Sequence, residues 1–396
     1  MPSSFGWLDA DAEQRRQMLE VVDLFSEDGT VDELGTGAIR DALARSLFPG
    51  TSVLHTRLRY VLFVPWLLER AGDGSALAGP SELRQLEVRL IESLIAGGER
   101  VGVIGNRARA RLKRLPSSVY WSTLGAWGIR QPDLTTDGYL RRRHDLARLA
   151  ARTAVSDDPG AREPTPSTGL DPHLPKAPSD LLARAAFALT AEEEVYLSDT
   201  IARATRGSLL AWLIQHPPAH LADHVWELTE LNDAPGHLSE TVDHARRFHT
   251  VVHGAVLVYN SLLARKRGMD EAAADFESDL LAWRTELQTS RALDDWDRSA
   301  WWATVRRSGS TVGRPTSDFI DQWIDLVASG TDIGTSERAA ELVTTRERQL
   351  KGGRARLANQ SALDAWSGAS GLRRLDFNWQ IARRHLDDLY TARAGR

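Results

Sequence analysis

The stretch TRLRYVLFVPWLLERA, residues 56–71, decides the fold class. Its apolar residues run nearly all round a helical wheel instead of along one face, which is the pattern of a helix covered on every side. Its most apolar part, YVLFVPWLL from Tyr60, is nine residues long, whereas a membrane span needs about 20. It also contains Pro65, whose ring removes a backbone donor, so a kink or break is expected there. The reading is a buried helix in a soluble protein.

The surroundings read as helix too. DAEQRRQMLEVVDLF, residues 11–25, sets Met18, Leu19, Val22 and Phe25 on one helical stripe. GAIRDALARSLF, residues 37–48, stops at Pro49-Gly50. SELRQLEVRLIESLIAG opens on Ser81 as an N-cap and ends at Gly97-Gly98. VGVIGNRARARLKRLPSSVYWSTLGAWGI, residues 101–129, has a helix start at Pro116 and a stop at Gly128. Short helices around a basic connector are compatible with a helix-turn-helix or winged-helix unit. Residues 156–179 are rich in Pro, Gly, Ser and Thr and read as a linker. Beyond it, LTAEEEVYLSDTIA starts with a Thr190 cap and three glutamates that favour a helix N-terminus. No strand pair, βαβ alternation or repeat period stands out. The expectation is a mainly α protein of two helical regions: an N-terminal domain 1–155 holding a basic segment, the linker 156–179, and a C-terminal domain 180–396 with a basic end.

The 396 residues contain no cysteine, which removes disulfides, thiolate zinc sites and cysteine nucleophiles. The N-terminus lacks a basic segment followed by an apolar run, so no signal peptide is expected, and the location is expected to be cytoplasmic. Net charge is −5, but its distribution is uneven. Residues 101–150 carry ten basic and three acidic side chains, residues 179–300 eleven and twenty, and residues 344–396 eleven and five. Such asymmetry points to a local anionic partner. Only four cations are lysines, a compositional bias that weakens arginine richness as a phosphate signal.

Familiar catalytic motifs are missing. There is no GxxxxGK[ST] loop, no GxGxxG after a strand and no GxSxG elbow. Seven of the eleven histidines lie between His216 and His253. His220 with His224, and His249 with His253, have the i, i+4 spacing that suits a metal on a helix face, with Asp223 or Asp243 as further ligands. Neither pair has the glutamate of HExxH, and helix-surface or capping histidines are the simpler reading, so no metal is assigned. The acidic runs Glu192–Glu194 and Asp294–Asp297 sit where helix capping is the simpler reading. Most tryptophans, such as Trp66, Trp212, Trp283 and Trp323, fall on apolar stripes and read as core. Trp121 and Trp127 flank the basic stretch and are candidates for stacking on bases. No cofactor is implied.

Two basic stretches remain. RARARLKR places Arg107, Arg109, Arg111, Lys113 and Arg114 within eight residues. RERQLKGGRARL, residues 346–357, offers Lys351, Arg354 and Arg356 around a Gly-Gly pair. A glycine-flanked turn with converging cations can cradle phosphate. The alternative is a helix C-terminus closed by glycine, with cations favoured by the helix dipole. Arg57 and Arg59 either extend the patch or are held in buried ion pairs.

SFGWLD, DELGTGAIRDAL, LFPGTSVLHTRLRYVLFVPWL, GVIGNRARARLKRLPSSVYWSTLGAWGI, LKGGRARLAN and LDFNWQIARRHLDDL together resemble an uncharacterised bacterial family, DUF6361. The likeness covers nearly the whole chain apart from the linker. It brings no activity or catalytic residues, and it implies a setting beside helicase-like and anti-phage defence genes. The leading expectation is a non-catalytic component of a multi-protein system that contacts DNA or RNA backbone. A protein-interaction subunit and a metal-dependent hydrolase are the alternatives.

Overall fold

The computed structural model describes residues 32–71, 79–131, 133–153 and 168–395. The described residues form fourteen α-helices: α1 (Gly37–Leu47), α2 (Tyr60–Ala71), α3 (Gly79–Ala96), α4 (Pro116–Ala126), α5 (Thr136–Thr153), α6 (Ala191–Ala204), α7 (Leu209–Gln215), α8 (Gly236–Arg267), α9 (Asp270–Thr289), α10 (Arg298–Arg307), α11 (Arg314–Ala328), α12 (Glu337–Lys351), α13 (Gln360–Asp364) and α14 (Trp379–Ala394). The mainly α class is as expected. Among the described residues β pairing is limited to one isolated antiparallel bridge, Arg130 with Leu170, so no strand-built wing is seen there. The helix expected over residues 11–25 lies outside the described residues, as does part of the expected linker.

Two compact units divide the described chain. The first holds the residues up to Leu43 with Ser239–Phe377; the second holds Ala44–Leu238 with Asn378–Arg396. In the second unit α2 is the core, its residues Tyr60–Leu68 all buried. Tyr60 stacks on Tyr120 of α4 at 5.4 Å, and its ring meets Phe63 edge-on at 5.7 Å. The helix runs through Pro65 without interruption. Pro65 sits only five residues after the first, so its missing N–H and ring affect the Val61 carbonyl alone. Helix α3 begins at Gly79, not at a Ser81 cap, because Pro80 already has the φ of a first turn. Within the described part of the expected linker Pro175 accepts a hydrogen bond from Trp66 Nε1 at 2.7 Å, and just past it Leu181 accepts one from Ser93 Oγ. Thr190 caps α6 in a full capping box with Glu193.

In the first unit α8 packs on α10 through Phe248 and Trp301 at 5.3 Å, α11 packs on α12, and Trp301, Phe319, Trp323 and Val343 are buried. Trp283 and Trp323 donate their indole N–H groups to the Thr250 and Val251 carbonyls of α8. Gly254 permits this approach: a Cβ there would lie 2.5 Å from the Trp283 ring.

Candidate nucleic-acid interface

The basic stretch 107–114 is neither strand nor regular helix. It is a run of turns with one 3₁₀ turn at Arg109–Arg111, entered with Arg109 at φ 49°. Its shape is set by tertiary hydrogen bonds within the second unit. Thr56 Oγ1 donates to the Gly102 carbonyl at 2.7 Å, and the Tyr60 hydroxyl accepts from Ile104 N at 2.9 Å. Arg84 of α3 donates to the Ala110 and Leu112 carbonyls at 2.9 and 3.1 Å. Leu112 folds back onto Gly105, whose φ of +82° and close approach to that side chain leave no room for a Cβ. At the far end Pro116 opens α4, and buried Glu87 accepts from Ser117 N at 2.6 Å.

Arg107, Arg109, Arg111, Lys113 and Arg114 are all exposed on this pinned loop. Residues 101–115 include no acidic side chain. Helix α5 packs on α3 and adds Arg141, exposed, with Arg142 tied to Gln131. Sequence reading passed over Arg84 and the RRRH run at 141–144. Charge density could have flagged the run, but only the fold shows Arg84 holding the loop.

The second basic stretch is arranged differently. Helix α12 ends at Lys351 and Gly352 follows at φ 54°, so the glycine closes a helix. Arg346 turns inward, donating to the Leu34 carbonyl at 2.8 Å and Thr316 Oγ1 at 2.7 Å. Lys351 is paired with Glu33 and lies 3.0 Å from the Tyr259 hydroxyl and 3.2 Å from Glu347. Arg356 binds Glu33 at 2.8 Å and Ser370 at 2.8 Å. Glu347, fully buried, also accepts from the backbone of Arg356 and Leu357. Burial works against its charge, but the Tyr259 hydroxyl and these N–H groups outweigh it and hold its pKa below the usual carboxylate value. Burial, helped by Glu33 and Glu347, pushes the Tyr259 pKa up. Lys351 and Arg356 are therefore neutralised inside the first unit, while Arg354 and Arg348 are exposed.

The remaining candidates resolve one by one. Arg57 forms a forked pair with Asp388, with contacts of 2.6–3.2 Å, and Arg59 a buried pair with Glu193 at 2.6 Å. Trp127 is 1% exposed with its N–H on the Pro49 carbonyl, which puts it out of reach of a base. Trp121 is half-buried; its N–H binds the Leu134 carbonyl and Arg130 covers its ring at 4.7 Å. His220 and His224 lie in an irregular segment, not on a helix, because Pro217-Pro218 ends the helical run. His224 stacks on Trp226. His249 sits on α8, its ring between the Leu375 carbonyl and Arg374, and His253 follows one turn on. Asp223 and Asp243 are taken up by Arg383 and by Arg246 with Arg247. Among the described residues no three His, Asp or Glu side chains are placed to share a metal. The acidic runs act as caps: Asp297 caps α10, and Glu193 completes the box at α6.

The model of a family of unknown function, DUF6361, matches residues 2–394. The chain belongs to that family. Comparison with curated proteins and with solved structures gives no match. No described helix is long and apolar enough to cross a membrane. The family places the chain without assigning it chemistry, so the functional reading rests on the basic loop.

Proposed function

We propose that this DUF6361 chain is a non-catalytic component of a bacterial multi-protein system that contacts nucleic-acid backbone through the loop 107–114. The anti-phage setting follows from the family resemblance alone. The observation that carries the proposal is the exposure of five cations in eight residues on a loop pinned at both ends and at its middle. Phosphate contacts of this kind attract and position without selecting sequence. Their strength falls with salt, by about 0.9 in the log–log slope for each phosphate neutralised on duplex DNA.

Fluorescence anisotropy of labelled DNA and RNA, single- and double-stranded, at several salt concentrations tests it. The triple variant Arg109→Glu, Arg111→Glu, Lys113→Glu is expected to weaken binding at least about a hundred-fold and to flatten the salt slope by about 3 units on duplex. Arg354→Glu serves as the exposed-cation control and is expected to bind as wild type. Binding by wild type that ignores salt, or survives the triple change, overturns the proposal. One observation favours a second reading, a protein-docking subunit. Val53, Leu54 and Val101 are exposed, and the Thr56–Gly102 hydrogen bond ties their two segments together. Absence of binding to every nucleic acid, with stable co-purification of a neighbouring gene product, would select it.

A further inference from the structure

The first unit contains a cavity of about 440 Å³, lined by none of the loop cations. This volume lies in the range of small-molecule sites, about 300–1,000 Å³. Helix α9 forms one wall and the loop 330–335 after α11 the other. The inner surface is apolar and preformed: Leu280, Trp283, Val327 and Ile333 line it and are all buried. Leu281, 65% exposed, stands at the mouth. A smaller cavity of about 180 Å³ shares Arg265, Leu280 and Ile333 with it.

The charges at the mouth indicate what the cavity takes. Glu277 is engaged by Arg265 at 2.8 Å, and Asp294 by Arg291 at 2.6 Å. Asp332 Oδ1 accepts from Gly334 N at 3.2 Å, which closes its own loop. Arg284 is the group left poorly matched. Its nearest carboxylate oxygen, on Asp332, is 3.7 Å away, and its hydrogen bond to the Gly330 carbonyl is 3.3 Å long. A guanidinium presents a rigid fork of donors suited to two carboxylate oxygens at once. Here that fork stands half-exposed beside an apolar cavity.

We infer that this cavity binds a small organic carboxylate with an apolar, ring-sized body, the body against Trp283 and Ile333 and the carboxylate on Arg284. The site is separate from the basic loop and independent of the nucleic-acid reading. An uncharged apolar ligand would use the floor but leave the guanidinium unmatched. A cation would meet only carboxylates that already have partners.

The test uses 2-naphthylacetate and its primary amide, two probes of one shape that differ in charge. Ligand-observed NMR and calorimetry with the full chain measure their affinities. Wild type is expected to hold the carboxylate at least about ten-fold more tightly than the amide, as a charge-assisted forked contact requires. Arg284→Gln is expected to abolish that preference and leave the amide's affinity within about two-fold. Leu287→Trp, which fills the mouth, is expected to weaken both probes by about ten-fold or more. Melting curves identify any variant that fails to fold; the wild-type comparison of the two probes stands without them. Equal affinity for the two probes, a preference that survives Arg284→Gln, affinity indifferent to Leu287→Trp, or no binding of either probe up to its solubility limit would each overturn the inference.

Discussion

Glu87 is expected to make the second unit less stable as pH rises, and Glu87→Gln to remove that penalty. The carboxyl is fully buried on α3. One oxygen accepts from Ser117 N at 2.6 Å, and the other has no hydrogen-bond partner. Burial pushes its pKa up from the ordinary 4.5 to about 7, against the opposing pull of Ser117. Between pH 4.5 and 7 the unfolded chain therefore gives up this proton while the folded chain keeps it. The unfolded state binds fewer protons in that window, so stability falls as pH rises through it and levels off above pH 7. The span between the two values corresponds to about 3 kcal/mol, at about 1.4 kcal/mol per pKa unit. Glutamine keeps the carbonyl acceptor for Ser117 and replaces the unpartnered group with a neutral amide, so it imitates protonated Glu87 at every pH. Urea unfolding followed by tryptophan fluorescence is the assay. Wild type and Glu87→Gln are expected to agree at pH 4.5 within about 1 kcal/mol and to differ at pH 8.5 by about 3 kcal/mol in favour of glutamine. A difference that stays constant from pH 4.5 to 8.5 would refute the reasoning, because an ordinary titration or a purely steric effect produces no such dependence.

Two further outcomes follow from buried groups. His55 is stacked on Tyr120 at 4.3 Å and bonded to Thr123 Oγ1 at 3.0 Å, and burial lowers its pKa to about 4. Only the unfolded chain takes up this proton between pH 6.5 and 4, so in a Glu87→Gln background stability is expected to fall by about 3 kcal/mol across that window on acidification, read by the same urea unfolding; a flat profile would contradict it. Lys351→Met is expected to cost the first unit about 3 kcal/mol, because it strands buried Glu347 without its cation and leaves Glu33 with Arg356 alone. The same change is expected to leave nucleic-acid affinity within about two-fold of wild type in the anisotropy assay, unlike the loop variant.

Local signals in the chain carried much of the fold. The all-round apolar character of residues 60–68 announced a helix buried on every side; the caps at Thr190 and Asp297 marked helix starts because each accepts from an orphan N–H three residues on, and Pro116 marked one because its ring presets φ where an N–H would go unpaired anyway. Ser81 misled because Pro80, one position earlier, already serves as the starter. HLADH suggested a helical pair by spacing, but the preceding Pro217-Pro218 ends the helical run. The site was less legible. The exposure of Arg107 to Arg114 fits a segment with no acidic residue of its own, and this could be read locally. The fate of Lys351 and Arg356 could not, because their partner Glu33 lies more than 300 residues away along the chain.

That contrast gives a physical basis for choosing between the two basic stretches. A cation is available to an external phosphate only if no internal carboxylate has already repaid its desolvation. Lys351 and Arg356 surround Glu33, which with Glu347 and the Tyr259 hydroxyl supplies the oxygens that a phosphate would otherwise offer. For a ligand to take that place, Glu33 would have to leave a site where it is 6% exposed, carrying its charge with it. The loop 107–114 contains no carboxylate in its own sequence, its five cations are exposed, and its backbone is held by Thr56, Tyr60 and Arg84. Exposed charge of this kind is screened directly by salt. Steep salt dependence combined with insensitivity to Lys351→Met is the pair of results that this allocation of charge requires.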